Sequence, residues 1–214
     1  LVPFQKQILA NDMAADTGVP REEYTLIIRQ YEPKILRLFI GFGEEQMTDE
    51  SEMLQMSDRV KKTPLSVSFG NGRWTVTDPE GTVRAVINIQ EPELDRWSTL
   101  LPDPQETLDI RLYPDGKREI RLAAYDHFSP PRYDALPIGF CKLDGQKERA
   151  TMSFECKADE CFAGTGERFT KMDLSGQTFF LKNQDGQGVN NRRTYKNIPF
   201  YVSSRMYGAF YHTC

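Results

Sequence analysis

Apolar and polar residues alternate with a period of two along much of the chain. Leu65, Val67 and Phe69 are separated by Ser66 and Ser68. Val83, Ala85, Ile87 and Ile89 interleave with Arg84 and Asn88, and Leu108, Ile110 and Leu112 with Asp109 and Arg111. Ala150, Met152 and Phe154 repeat the pattern with Thr151, Ser153 and Glu155. Successive strand side chains point to opposite faces, so each run predicts a strand with one buried and one wet face. β-branched and aromatic content predicts further strands over 24–31, 35–42, 74–77, 177–181, 199–203 and 207–212.

Short polar turns punctuate the runs. Gly70-Asn71-Gly72, Asp78-Pro79-Glu80-Gly81, Pro114-Asp115-Gly116-Lys117, Asp144-Gly145 and Ser175-Gly176 supply residues that tolerate positive φ or pre-set a turn. Between alternating runs they predict antiparallel hairpins. Helical pattern is confined to 48–58, where Thr48 can cap a segment carrying Met53, Leu54 and Met56, and to 91–101, with Leu94, Trp97, Leu100 and Leu101. Met47, Met53 and Met56 suit apolar packing better than a binding box. No β-α alternation occurs, which disfavours a doubly wound sheet. The fold class expected is therefore all-β: one large antiparallel β-sandwich over 1–214, with very little helix.

Composition narrows the function. The 214 residues carry 31 acidic and 27 basic side chains, a net charge of −4, so no basic excess favours nucleic acid. No apolar run approaches the roughly 18–20 residues that cross a bilayer as a helix. No signal peptide is visible, which slightly favours the cytoplasm. The chain opens without methionine and breaks off just after a strand-like run, so both ends read as the edges of an excised piece. Cys141, Cys156, Cys161 and Cys214 form no C-x-x-C pair and have only His127 and His212 to join them. Neither a zinc site nor a disulfide framework is expected, and the cysteines read as small buried side chains. No metal or cofactor is implied: P-loop, dinucleotide and G-x-S-x-G motifs are all missing.

The candidate chemistry is sparse. His127 lies in a proline-rich turn and His212 in the last strand-like run, with no spacing that pairs them for acid–base work. Asp126, Asp134, Asp159, Glu160, Glu167 and Asp185 fall in loops and read as solvated acids. One segment stands apart. Residues 183–197 run Asn-Gln-Asp-Gly-Gln-Gly-Val-Asn-Asn-Arg-Arg-Thr-Tyr-Lys-Asn between two apolar runs. A long polar loop on a β scaffold is a common place for function. Its Asp, Asn, Arg and Tyr side chains offer the acceptors, donors and stacking face that sugar hydroxyls and rings require.

Two blocks carry a resemblance. Cys161-Phe162-Ala163-Gly164-Thr165-Gly166-Glu167-Arg168-Phe169 resembles the G-x-G-E-R-F block of glycoside hydrolase family 31, the family of α-glucosidases and α-xylosidases. Tyr195-Lys196-Asn197-Ile198-Pro199-Phe200 and the residues after it resemble that family's Y-K-N-I-P-F block. Weaker similarity lies in Tyr31-Glu32-Pro33-Lys34-Ile35-Leu36-Arg37-Leu38 and in the hairpin around Trp74, Asp78 and Gly81; the stretch 92–134 matches no pattern of the family. The resemblance implies an N-terminal sandwich of the galactose-mutarotase-like kind. It also implies catalytic aspartates on a downstream (β/α)₈ barrel that this chain does not contain. It puts Asp185 beside the reacting sugar, with Asn183, Arg192 and Tyr195 as further substrate-binding candidates. Gly164, Gly166, Glu167, Arg168 and Phe169 are expected to be structural.

The expected function is thus the non-catalytic N-terminal domain of a retaining α-glycosidase. Its partners would be an α-linked glucoside or xyloside and its own C-terminal barrel, with neither nucleic acid nor membrane. The chain alone would be inactive. A free-standing mutarotase-like aldose epimerase using His127 and His212, and a stand-alone carbohydrate-binding module, are the alternatives.

Overall fold

A computed structural model describes residues 2–7, 21–41, 60–90, 107–122, 138–143, 146–184 and 193–212. Among the described residues there are fourteen strands, all paired antiparallel, and no helix. The expected helices at 48–58 and 91–101, and Met47, Met53 and Met56, lie outside the described residues. The chain divides into two units, Leu1–Glu155 and Cys156–Cys214.

In the first unit, β2 (Arg21–Tyr31) pairs with β1 (Val2–Gln7), β3 (Ile35–Gly41) and β4 (Lys62–Thr63). A second sheet is a five-stranded meander of β5 (Ser66–Gly70), β6 (Arg73–Thr77), β7 (Val83–Gln90), β8 (Thr107–Leu112) and β9 (Ile120–Leu122). β10 (Ile138–Leu143) and β11 (Gln146–Met152) form a separate pair.

Register explains the core. Trp74 lies opposite Ile87, Ile87 opposite Ile110, and Ile110 opposite Leu122. A parallel row runs Val76, Ala85, Leu112, Ile120. These two rows cover one face of the meander and pack with Leu26, Ile28, Leu36, Leu38 and Ile40 of the first sheet. Two sheets facing each other through alternate residues make a sandwich. Fully burying a side chain such as Ile87, Ile110 or Leu122 contributes about 1.5–3 kcal/mol.

The opposite face of the meander is polar. Asp109 accepts from Arg121 Nε at 2.6 Å, Arg111 Nε at 3.1 Å and Asn88 Nδ2 at 3.3 Å. Burial alone would raise its pKa, but the two arginines outweigh burial and hold the carboxyl below its ordinary value.

The turns behave as their residues dictate. Asn71 and Gly72 form the two-residue β5–β6 loop with φ of 53° and 72°, the left-handed pair that matches strand twist. Asp78 closes the β6–β7 turn by accepting the Thr82 N–H at 2.8 Å and anchors Arg84, whose Nη1 donates to Pro114 O at 2.8 Å.

The second unit is a three-stranded sheet, β12 (Phe162–Gly166), β13 (Asn197–Ser203) and β14 (Tyr207–Phe210). Its two faces differ. Tyr201 packs edge-on to Phe162 and Tyr207, and lies 6.0 Å from the Tyr211 ring. Ile198, Phe200 and Val202, on the alternate positions of β13, are exposed.

The segment 177–181 is not a strand, contrary to expectation. Among the described residues its β-branched and aromatic residues have no ladder partner, and pairing starts at Asn183, in a bridge to Thr194.

Candidate functional site

The polar segment 183–197 is anchored by the glycine block that precedes it. Gly164, Thr165 and Gly166 all have positive φ, at 124°, 63° and 94°. A Cβ on Gly166 would stand 1.9 Å from the Lys196 carbonyl oxygen, and one on Gly164 2.6 Å from that of Phe200. Only glycine lets the two backbones approach so closely. The contact brings Glu167 and Arg168 against Lys196 and Asn197. The Glu167 N–H donates to Lys196 O at 3.1 Å, and Lys196 Nζ meets Glu167 Oε1 at 3.0 Å on the surface.

Arg168 is held more firmly. Its Nε donates to Thr165 Oγ1 at 3.0 Å, and its guanidinium carbon lies 4.6 Å from the centre of the Phe179 ring. Its Nη2 donates to Asn197 Oδ1. Burial lowers its pKa from the ordinary arginine value. The other end of the Asn197 amide donates to Asn183 Oδ1 at 2.9 Å and to Thr194 O at 3.1 Å, while the Asn197 N–H donates to Asn183 Oδ1 at 3.2 Å. The Gln184 N–H donates to Thr194 O at 2.9 Å. Residues 183–184 and 193–194 therefore lie side by side.

Of the expected site residues, Asn183 and Tyr195 both belong to this stem. Asn183 spends its carbonyl oxygen on Asn197. Tyr195 is exposed, with Lys196 Nζ 5.8 Å from its ring centre. Asp185 and Arg192 lie outside the described residues. Thr178, Phe180, Lys182 and Gln184, on alternate positions of the chain leading into the loop, line an open groove of about 340 Å³ with Arg193. Phe180 falls in the segment whose aromatic content predicts a strand, and Lys182 just beyond it, so neither is marked by its sequence as a groove residue.

Two expectations are corrected. Cys156 and Cys161 are exposed free thiols, not buried side chains, because both sit in the turn-rich approach to β12; the side chain of Cys141, and Cys214, lie outside the described residues. Asp173 beside Cys161 pushes its thiol pKa up, away from the nucleophilic form. Glu160 is not a solvated loop acid: it is only 5% exposed and accepts hydrogen bonds from Ser203 Oγ, from the Lys157 N–H at 3.0 Å and from Tyr207. Glu167, by contrast, is exposed as expected.

The His212 ring lies 6.3 Å from that of Phe210, and His127 lies outside the described residues. Among the described residues no group of three or more His, Cys, Asp or Glu side chains is placed to hold a metal ion.

Comparison with known proteins gives a match for residues 25–214 to the family described as the glycosyl hydrolase 31 N-terminal galactose mutarotase-like domain. The chain is 44% identical over 69 residues to the α-xylosidase XylQ of Lactiplantibacillus pentosus, covering 32% of this chain and 8% of that protein. It is 49% identical over 47 residues to an α-xylosidase of Emericella nidulans, covering 22% of this chain and 6% of that protein. The matched stretches thus span less than a tenth of either relative's length.

Proposed function

The chain belongs to the glycosyl hydrolase 31 family, as its N-terminal galactose mutarotase-like domain, and from this premise we propose that it is the non-catalytic wall of an α-glycosidase pocket. Residues 1–214 act as one N-terminal sandwich domain that packs on a downstream (β/α)₈ barrel. The barrel supplies the nucleophile and the acid–base of a configuration-retaining hydrolysis. This chain supplies the loop at 185–192.

The observation that carries the reading is the stem of that loop. The two sequence blocks that bear the family resemblance converge on it, through the Gly166–Lys196 approach and the Arg168–Asn197–Asn183 chain. A polar loop held at its base by a rigid scaffold suits a side chain that must meet a substrate in a set place. Asp185 would accept hydrogen bonds from two sugar hydroxyls, which charge makes stronger than neutral ones. Asn183 and Arg192 would donate, and Tyr195 would offer a ring face. The exposed Ile198, Phe200 and Val202 support a packing partner for β13. The names of the two relatives favour an α-xyloside over an α-glucoside as the substrate class.

Full-length protein and isolated chain, assayed side by side on nitrophenyl α-xyloside and nitrophenyl α-glucoside, test this. The full-length protein should hydrolyse at least one of them and the isolated chain neither. Turnover by the isolated chain would overturn the proposal. So would faster mutarotation of a freshly dissolved aldose that disappears in His127→Ala or His212→Ala, which would install the epimerase instead.

A further inference from the structure

We infer that Arg168 is a positioning residue for the substrate loop, acting through the amide of Asn197; the inference rests on the reading of Asp185 given above. An asparagine amide has two ends of nearly equal shape and opposite hydrogen-bonding sense. Arg168 Nη2 can only donate, so it claims Asn197 Oδ1. That leaves Nδ2 facing Asn183 Oδ1 and Thr194 O, both acceptors, at 2.9 and 3.1 Å. A flipped amide would set oxygen against two oxygens and an NH₂ against a guanidinium. The cation thus selects the amide's sense, and the amide's sense joins the two sides of the loop stem.

Arg168 is itself fixed in place. Its Nε is held by Thr165 Oγ1, on a residue whose left-handed φ lies between two glycines, and its plane is covered by Phe179. The arrangement needs a planar fork with separate donors aimed at Thr165 and Asn197. A lysine carries the same charge but only a compact ammonium on a flexible stem. Arg168→Lys therefore keeps the charge and loses the fork. It should loosen the stem.

The test is a double-mutant cycle in the full-length protein on nitrophenyl α-xyloside: Arg168→Lys, Asp185→Ala and the two together. Arg168→Lys alone should lower kcat/KM by about tenfold. In the Asp185→Ala background the same change should cost clearly less, because the carboxylate it positions is gone and only the contacts of Asn183, Arg192 and Tyr195 remain to be disturbed. Hydrogen exchange at the Gln184 and Asn197 amides should quicken in Arg168→Lys. Equal losses in both backgrounds would overturn the inference and make Arg168 a general support of the fold. If Arg168→Lys does not fold, Asn197→Asp serves instead. It keeps an acceptor for Arg168 but turns a carboxylate oxygen toward Asn183 and Thr194, and the same dependence on Asp185 is expected. Full activity in Asp185→Ala would remove the loop reading and the inference with it. Impaired Asp185→Ala beside an unimpaired Arg168→Lys would remove the inference alone.

Discussion

Glu160 shows what a single residue hides in a sequence. It stands in a turn-forming, polar stretch, and nothing nearby marks it as buried. Its Ser203 donor is 43 positions away, brought in by β13, and Tyr207 arrives with β14. Burial pushes its pKa up, but the hydrogen bonds from Ser203, Lys157 and Tyr207 and the nearby Arg205 outweigh that and hold it below the ordinary carboxylate value of 4.5. A carboxyl depressed in the folded state stabilises the fold above its unfolded pKa, and the gain is lost as pH falls through the folded pKa. Glu160→Gln removes the charge and nearly keeps the shape. At neutral pH it should lower Tm by several degrees, since a charged hydrogen-bond acceptor contributes about 1.5–3 kcal/mol. The gap between wild type and variant should shrink as pH is lowered past about 4. Melting curves across that range check this, and a gap that ignores pH would contradict it.

At the scale of elements, the strands with clean alternation and a recognisable turn were legible. The β5–β6 hairpin is the clearest case for pairing, because Asn71-Gly72 can supply the left-handed turn, but the buried face expected of β5 is not there: Val67 and Phe69 are exposed. β12 was not legible as a strand: its two glycines argue against one, since glycine weakens strand interiors. Those glycines are there for the close approach to β13, a tertiary contact that no local pattern announces. The segment 177–181 failed in the opposite direction. Strand-like composition reports what a ladder would accept, not whether a partner is present. Gly166→Ala tests the role of the glycine block. With φ at 94° and a Cβ 1.9 Å from Lys196 O, it should cost on the order of 4 kcal/mol or abolish cooperative melting. Gly70→Ala is the control, because a Cβ there meets nothing within 4 Å and should change stability by less than about 1 kcal/mol. Equal effects at the two positions would contradict the account.

For the whole molecule, the sequence pattern led to an all-β antiparallel fold and the family resemblance to a mutarotase-like domain, and these two readings agree. The candidate site was legible as composition, a dense polar stretch between apolar ones, and the family resemblance singled out Asp185 within it. The resemblance marked both blocks, but that Arg168 donates to Asn197 could not be read, because the two residues are 29 positions apart and no local pattern announces the contact. Under the proposal that a downstream barrel performs the hydrolysis, the central claim is that Asp185 reaches the sugar held there. Asp185→Ala in the full-length protein, with kcat/KM on nitrophenyl α-xyloside and Tm measured on the same preparation, tests it most directly. The account predicts a fall in kcat/KM of about tenfold to a hundredfold, one to two decades at about 1.4 kcal/mol each, with stability shifted by less than about 0.5 kcal/mol. An unchanged kcat/KM, or a large fall in Tm that accounts for the lost activity, would contradict it.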